Sequence, residues 1–189
     1  MNDVDLYLKW QESPLSWVCD VFKLRPQKVK GEYLSKYNKA IKFYKWSDIK
    51  VQWFEPFIKG EEVTWQQTLI FLAVEAALKR GASSRIAIRS GHGIGKSATL
   101  SLLLLWFLFC FKNAQIPCTA PTGDQLHDIL WKEISIWMDK MPLEIKQLYE
   151  WSSDRIKMIE APETWFARAR TARKENPEAL AGMHSEHML

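Results

Sequence analysis

The segment Arg85-Ile86-Ala87-Ile88-Arg89-Ser90-Gly91-His92-Gly93-Ile94-Gly95-Lys96-Ser97 constrains this chain more than any other. It reads as a short β-branched strand, a glycine-rich loop and the start of an apolar helix. Ile86 and Ile88 share one face of such a strand, and Ala98 to Phe111 is a mostly apolar, leucine-rich run. The loop closes on Gly95-Lys96-Ser97, the end of a phosphate-binding P-loop. Glycines allow a tight turn that points several backbone N–H groups at phosphate oxygens. The N-terminus of the following helix adds its partial positive charge. On this reading Ser90, Gly91, His92, Gly93, Ile94, Gly95, Lys96 and Ser97 form the nucleotide-binding loop. Lys96 supplies a point charge at the β- and γ-phosphates of ATP, and the Ser97 hydroxyl helps hold Mg²⁺. Ser90 stands where the pattern has its first glycine, five residues before Gly95, so the motif is a variant. A plain strand-to-helix turn would have no need of the lysine and serine.

The chain has 189 residues, enough for one domain with a real core and marginal for two. Its 47% apolar and 25% charged residues are ordinary for a globular protein. A net charge of +4 permits a nucleic-acid partner without arguing for one. The ten tryptophans serve as packing groups or as stacking platforms. Cys19, Cys110 and Cys118 form no CxxC pair, which fits free thiols in a reducing compartment. Met1-Asn2-Asp3-Val4-Asp5 lacks the apolar core of a secretion signal. Leu100 to Phe111 is too short to span a bilayer and suits a buried helix, so no membrane partner is expected.

Residues 1–60 read as a helical, aromatic and basic lead segment, and residues 61–189 as a partial P-loop ATPase domain. Leu6, Trp10, Trp17, Val18, Val21 and Phe22 suggest one or two short amphipathic helices, broken at Pro14 and Pro26. Between Lys28 and Lys50, lysines alternate with aromatics, as in single-strand binders or in a solvated helix with an aromatic inner face. Thr64 is a fair N-cap for a helix running to about Arg80, with Gly81 at its C-cap. Gln66, just ahead of the P-loop strand, has an amide able to read adenine, or is an exposed helix glutamine.

After the P-loop helix, residues 115–120 read as a strand despite Pro117, followed by the turn Pro121-Thr122-Gly123. From Asp124 a helix is expected, with Leu126, Ile129, Leu130, Ile134 and Trp137 on its inner face until Pro142 breaks it. Residues 156–159 and 164–170 suggest the two strands of a hairpin, and residues 171–182 a polar loop leading into a short helix. The alternation of strands and helices predicts an α/β, P-loop NTPase-like fold: a mostly parallel sheet flanked by helices, incomplete at the C-terminus.

Four stretches in order resemble the N-terminal ATPase domain of tailed-phage terminase large subunits. They are Thr64-Trp65-Gln66-Gln67, the P-loop variant from Ile88 to Ser97, Thr119-Ala120-Pro121-Thr122 with Gln125 and Trp131-Lys132-Glu133-Ile134, and the segment from Ala172 to His184. The resemblance covers roughly residues 50–189. It implies an ATP- and Mg²⁺-dependent motor that drives double-stranded DNA into a capsid in the host cytoplasm. It also implies a portal protein, a small terminase subunit and further motor copies in a ring as partners. In that family a Walker B strand ending in Asp-Glu follows the His184 region, and a nuclease domain follows later. The chain stops at Leu189, so the resemblance implies weak or absent ATPase activity for residues 1–189 alone.

Arg89 beside the loop and Arg173 are candidates to neutralise charge on a transferred phosphoryl group, or are solvated surface charges. His184 and His187 have H-x-x-H spacing without the further ligands of a zinc site. Two competing functions share the loop: another P-loop enzyme, such as a helicase-like translocase or nucleotide kinase, and a non-catalytic fragment that binds ATP, DNA or intact motor subunits.

Overall fold

The computed structural model describes residues 2–26, 62–80, 85–89, 93–171 and 189. The chain divides into two compact units, Met1–Lys96 and Ser97–Leu189.

In the first unit, α1 (Asp3–Glu12) and α2 (Pro14–Phe22) meet at Ser13. Asn2 caps α1 by accepting the Asp5 N–H at 2.8 Å. Ser13 ends α1 and caps α2, and Pro14 occupies the first turn of α2, where its missing N–H costs nothing. Proline thus separates the two helices, as the sequence predicts. Asp20 ties them together by accepting from Lys9 at 2.8 Å and from the Trp10 indole at 2.9 Å. Trp17 and Val18 are fully buried, and α2 lies against α3 (Trp65–Lys79). The two-residue strands β1 (Arg25–Pro26) and β2 (Glu62–Val63) pair in parallel, and β2 leads directly into α3.

The second unit is built around α4 (Lys96–Cys110), whose first residue closes the preceding unit. Leu102 to Leu108 are buried without interruption, the mark of a helix enclosed on all sides. Phe107 stacks on Phe111 at 4.5 Å, with Trp106 edge-on to Phe111 at 5.4 Å. Asn113, at φ 57°, turns the chain into β3 (Gln115–Ala120). Then come a π-helical stretch (Gln125–Trp131), α5 (Lys132–Lys140), α6 (Leu143–Lys146), β4 (Tyr149–Trp151), β5 (Arg155–Met158) and β6 (Phe166–Thr171). The sheet order is β3-β6-β5-β4.

The fold is mixed α/β, but the sheet differs from the mostly parallel one expected. Only β3 and β6 run parallel; β6–β5 and β5–β4 are antiparallel. The reason lies in the connections. The links between β4, β5 and β6 are too short for a parallel crossover, whereas β3 and β6 are separated by a long helical excursion. The hairpin expected around 156–170 is present as β5–β6. A strand was also expected at 85–89. That stretch joins no ladder among the described residues, and Ile86 and Ile88 stay 38% and 36% exposed. Isoleucine favours strands through burial and cross-strand packing, and neither acts here.

The β3–β6 ladder starts where the Phe166 N–H donates to the Ala114 carbonyl at 3.0 Å. That bond turns the even-numbered residues of β3 toward β6. Pro117, pairing in register with Arg168, faces the other edge, so its missing N–H removes nothing from this ladder.

The helix after β3 also departs from expectation. Its buried residues are Leu126, Trp131, Ile134 and Met138, while Ile129 is 52% exposed. At about 100° per residue, an α-helical step of five would splay Leu126 and Trp131 apart. The wider π turn brings both inward, and the Trp131 indole reaches the Ser152 carbonyl at 3.3 Å.

Residues 1, 27–61, 81–84, 90–92 and 172–188 lie outside the described residues. So do the basic–aromatic stretch at 28–50, the Gly81 cap and the polar loop beyond Thr171. Among the described residues no helix is long and apolar enough to cross a membrane.

Candidate nucleotide-phosphate site

The glycine loop is described from Gly93 onward. Gly93 and Gly95 both have φ +78°, the left-handed region that a residue with a Cβ rarely adopts. The backbone therefore turns twice within three residues before α4 begins at Lys96. Gly93 is exposed; Ile94, Gly95, Lys96 and Ser97 are half-buried.

The two glycines differ in their surroundings. A Cβ on Gly93 would meet nothing within 4 Å, whereas one on Gly95 would lie 2.6 Å from Gln67 Nε2. The reason is a direct contact: Gln67 Nε2 donates to the Gly95 carbonyl at 3.3 Å. Gln67 is fixed from its other end by a capping box at the start of α3. Its Oε1 accepts the Thr64 N–H at 3.0 Å, while its own N–H donates to Thr64 Oγ1 at 3.3 Å. Its side chain is buried with both amide atoms engaged, as a buried polar group requires.

From the second turn of α4, the Ser101 hydroxyl donates back to the Ser97 carbonyl at 2.8 Å. Ser97 and Ser101 share a helix face at i, i+4 spacing. Ser101 is fully buried, so this bond satisfies a hydroxyl that would otherwise be costly. The Ser97 side chain makes no hydrogen bond among the described residues.

The sequence-predicted residues fall into three groups. Gly93, Ile94, Gly95, Lys96 and Ser97 sit together on the loop and the helix start. Gln66 is half-buried on the first turn of α3, and its side chain makes no hydrogen bond among the described residues; the neighbouring Gln67 makes the loop contact instead. Arg89 is exposed on the 85–89 stretch. Ser90, Gly91, His92 and Arg173 lie outside the described residues, as do His184 and His187. Gln67 is the residue that sequence reasoning missed. The signal was present in the T-x-x-Q spacing of Thr64 and Gln67, which marks a capping box and fixes where that glutamine points.

Two positive-φ glycines, a helix N-terminus, a lysine and a hydroxyl fit a bound phosphate group. The backbone from Gly93 to Lys96 and the Lys96 ammonium would hold the anion, and Ser97 would face its divalent cation. Elsewhere, an open cleft of about 480 Å³ lies between the carboxyl end of β6 and the π-helical stretch, lined by Leu126, His127, Ala169, Arg170 and Thr171. Among the described residues no group of three or more His, Cys, Asp or Glu side chains is gathered to hold a metal.

With this geometry in place, comparison with known proteins adds one relative. The chain is similar to a probable terminase large subunit of Enterobacteria phage P7. The two are 29% identical over 134 residues, which is 69% of this chain and 26% of the relative. The chain thus spans about a quarter of that protein's length. No family model matches the chain, and no solved structure matches it. The relative carries the same family name that the motifs suggested.

Proposed function

We propose that this chain is the ATP-binding N-terminal part of a phage DNA-packaging motor, a terminase large subunit. Such a motor couples ATP hydrolysis to movement of double-stranded DNA into a capsid. The observation that carries the reading is the doubly turned glycine loop at 93–95, running into a helix that opens with Lys96 and Ser97. The similarity to a probable terminase large subunit supports it from a separate direction.

In this reading, Mg·ATP supplies the phosphoryl group and its counter-ion. The loop backbone and the helix start bind and orient the phosphates. Lys96 offsets their charge, and Ser97 is the side chain toward Mg²⁺. Gln66 is the adenine reader, with Ser90, Gly91 and His92 completing the loop. Arg89 and Arg173 offset charge on the transferred group. The parallel β3–β6 ladder is the seed of a larger parallel sheet. The partners are double-stranded DNA, a portal ring, a small terminase subunit and further copies of the motor, all in the host cytoplasm.

The test is Mg·ATP binding and turnover by purified 1–189 beside Lys96→Ala. The expected result is binding by the parent chain that Lys96→Ala abolishes. Binding retained in full by Lys96→Ala would overturn the loop assignment.

A further inference from the structure

We infer that Gln67 is a positioning residue for the phosphate loop: it clamps the Gly95–Lys96 peptide so that the Lys96 N–H is presented away from α3, toward the bound anion. The inference rests on the reading of residues 93–97 as a nucleotide-phosphate cradle and assigns that cradle a control point on α3.

The argument begins with the peptide plane. A trans peptide is planar, with its carbonyl and N–H on opposite edges. Gln67 Nε2 holds the Gly95 carbonyl at 3.3 Å. The N–H of the same peptide belongs to Lys96 and must point away from Gln67. Lys96 is the first residue of α4. This donor is among those a phosphate at a helix N-terminus would use. Gly95 is held at φ +78°, and Gln67 is the side chain a Cβ there would strike. Close approach and clamp are the same contact.

The second step is what holds Gln67. It is 8% exposed and locked by the Thr64 capping box, with Oε1 on the Thr64 N–H at 3.0 Å. One amide therefore serves two elements. Its oxygen completes the N-terminus of α3, and its nitrogen sets the last peptide of the loop. Any ligand contact that moves the first turn of α3 is transmitted to the loop through this side chain. Gln66, on the same turn, is placed to provide such a contact.

The two roles of the amide are separable by chemistry. Glutamate at this position keeps the cap, because a carboxylate accepts the Thr64 N–H as well as an amide does. It loses the donor to Gly95, and it sets an anionic oxygen against a carbonyl. Thr64→Ala does the reverse, weakening the cap while leaving the Gln67 amide intact.

The experiment uses residues 1–189 as parent, Gln67→Glu and Thr64→Ala. Three quantities are read: the thermal midpoint, the carbonyl carbon chemical shift of Gly95 without nucleotide, and Mg·ATP affinity. For Gln67→Glu the expected result is a displaced Gly95 carbonyl resonance and affinity about tenfold weaker, the equivalent of one lost hydrogen bond, beyond whatever the fall in midpoint accounts for. Thr64→Ala should lower the midpoint and leave the Gly95 resonance in place. A Gln67→Glu chain with an unmoved Gly95 resonance or parent-like affinity overturns the inference, as does one whose affinity falls only in step with its midpoint. If the parent itself fails to bind Mg·ATP, the function proposed above fails. The Gly95 resonance still reports the clamp, so the two failures are distinguishable.

Discussion

Tyr149 donates its phenolic hydrogen to the Leu105 carbonyl across 3.1 Å, pinning the end of the sheet to the middle of α4. Tyr149 is 7% exposed and Leu105 fully buried, so the bond is made inside the core. Burial, reinforced by nearby Cys110, holds this phenol well above its usual pKa of 10.0. Tyr149→Phe keeps the ring and removes the donor, and the expected cost is about 0.5–1.5 kcal/mol. Urea denaturation at neutral pH measures it. An unchanged midpoint would mean that ring packing alone carries this contact.

The two loop glycines are expected to respond unequally to alanine. Gly93→Ala suffers only the left-handed backbone, about 1–2 kcal/mol. Gly95→Ala suffers the same backbone cost and also drives its methyl against Gln67 Nε2, adding about 1–3 kcal/mol of overpacking. Paired thermal melts resolve the difference. Equal losses would show that Gln67 yields without cost.

Alkaline pH should weaken the fold before Lys side chains discharge. Burial pushes the thiols of Cys19 and Cys118 up to about 12 from a usual 9.0, aided at Cys19 by the adjacent Asp20 carboxylate, and raises Cys110 as well. Above pH 9 the unfolded chain releases these protons while the folded chain keeps them. Stability from the neutral thiols is therefore complete below pH 9 and declines as pH rises toward 12. Each such thiol shifts the unfolding equilibrium by about tenfold per pH unit in that window. Denaturant melts from pH 7.5 to 10.5 should show the decline, and Cys118→Ala should make it shallower. A flat profile in the parent would contradict the burial of these thiols.

Core and surface of the second unit should separate cleanly. Lys112 and Glu160 pair at 2.7 Å, but their side chains are 66% and 63% exposed. Lys112→Ala should change stability by less than about 0.5 kcal/mol. Leu105→Ala, at a fully buried site, should cost about 2–5 kcal/mol. Chevron or equilibrium urea data on the pair would check both, and comparable losses would be the contrary result.

What the sequence revealed, and what it hid, follows from how local each signal is. Thr64 and Pro14 act within one turn, so the starts of α3 and α2 were legible. The 115–120 strand and the hairpin after 155 were legible from alternation and length. The inner face of the helix after β3 was legible only in part: Leu126 and Ile134 are buried as picked. Periodicity picked Ile129, Leu130 and Trp137, while the structure buries Trp131 and Met138. Beyond Ile129 the buried set sits one position later than a regular α-helix would place it, because the π turn adds a residue that apolar spacing does not announce. Trp137 instead lies at the surface margin, donating to Glu133 at 3.0 Å under the Lys140 ammonium. The candidate site was legible as a motif from Gly93 to Ser97. The loop contact of Gln67 was not singled out, because the adenine argument weighs chemistry alone, whereas the capping box decides which way that side chain points.

Pro117 has a consequence for recognition between strands. Along the outer edge of β3 the outward-facing positions are Gln115, Pro117 and Thr119, and the middle one has no hydrogen to give. An arriving strand would meet a donor, a blank and a donor. A generic sticky strand, which gains from an unbroken row, loses its central bond there. A strand shaped for this edge could turn a carbonyl away at that position, as a bulge does, and lose nothing. Among the described residues β3 ends the sheet, so at that edge the proline would act as a keyway, filtering what can pair with it.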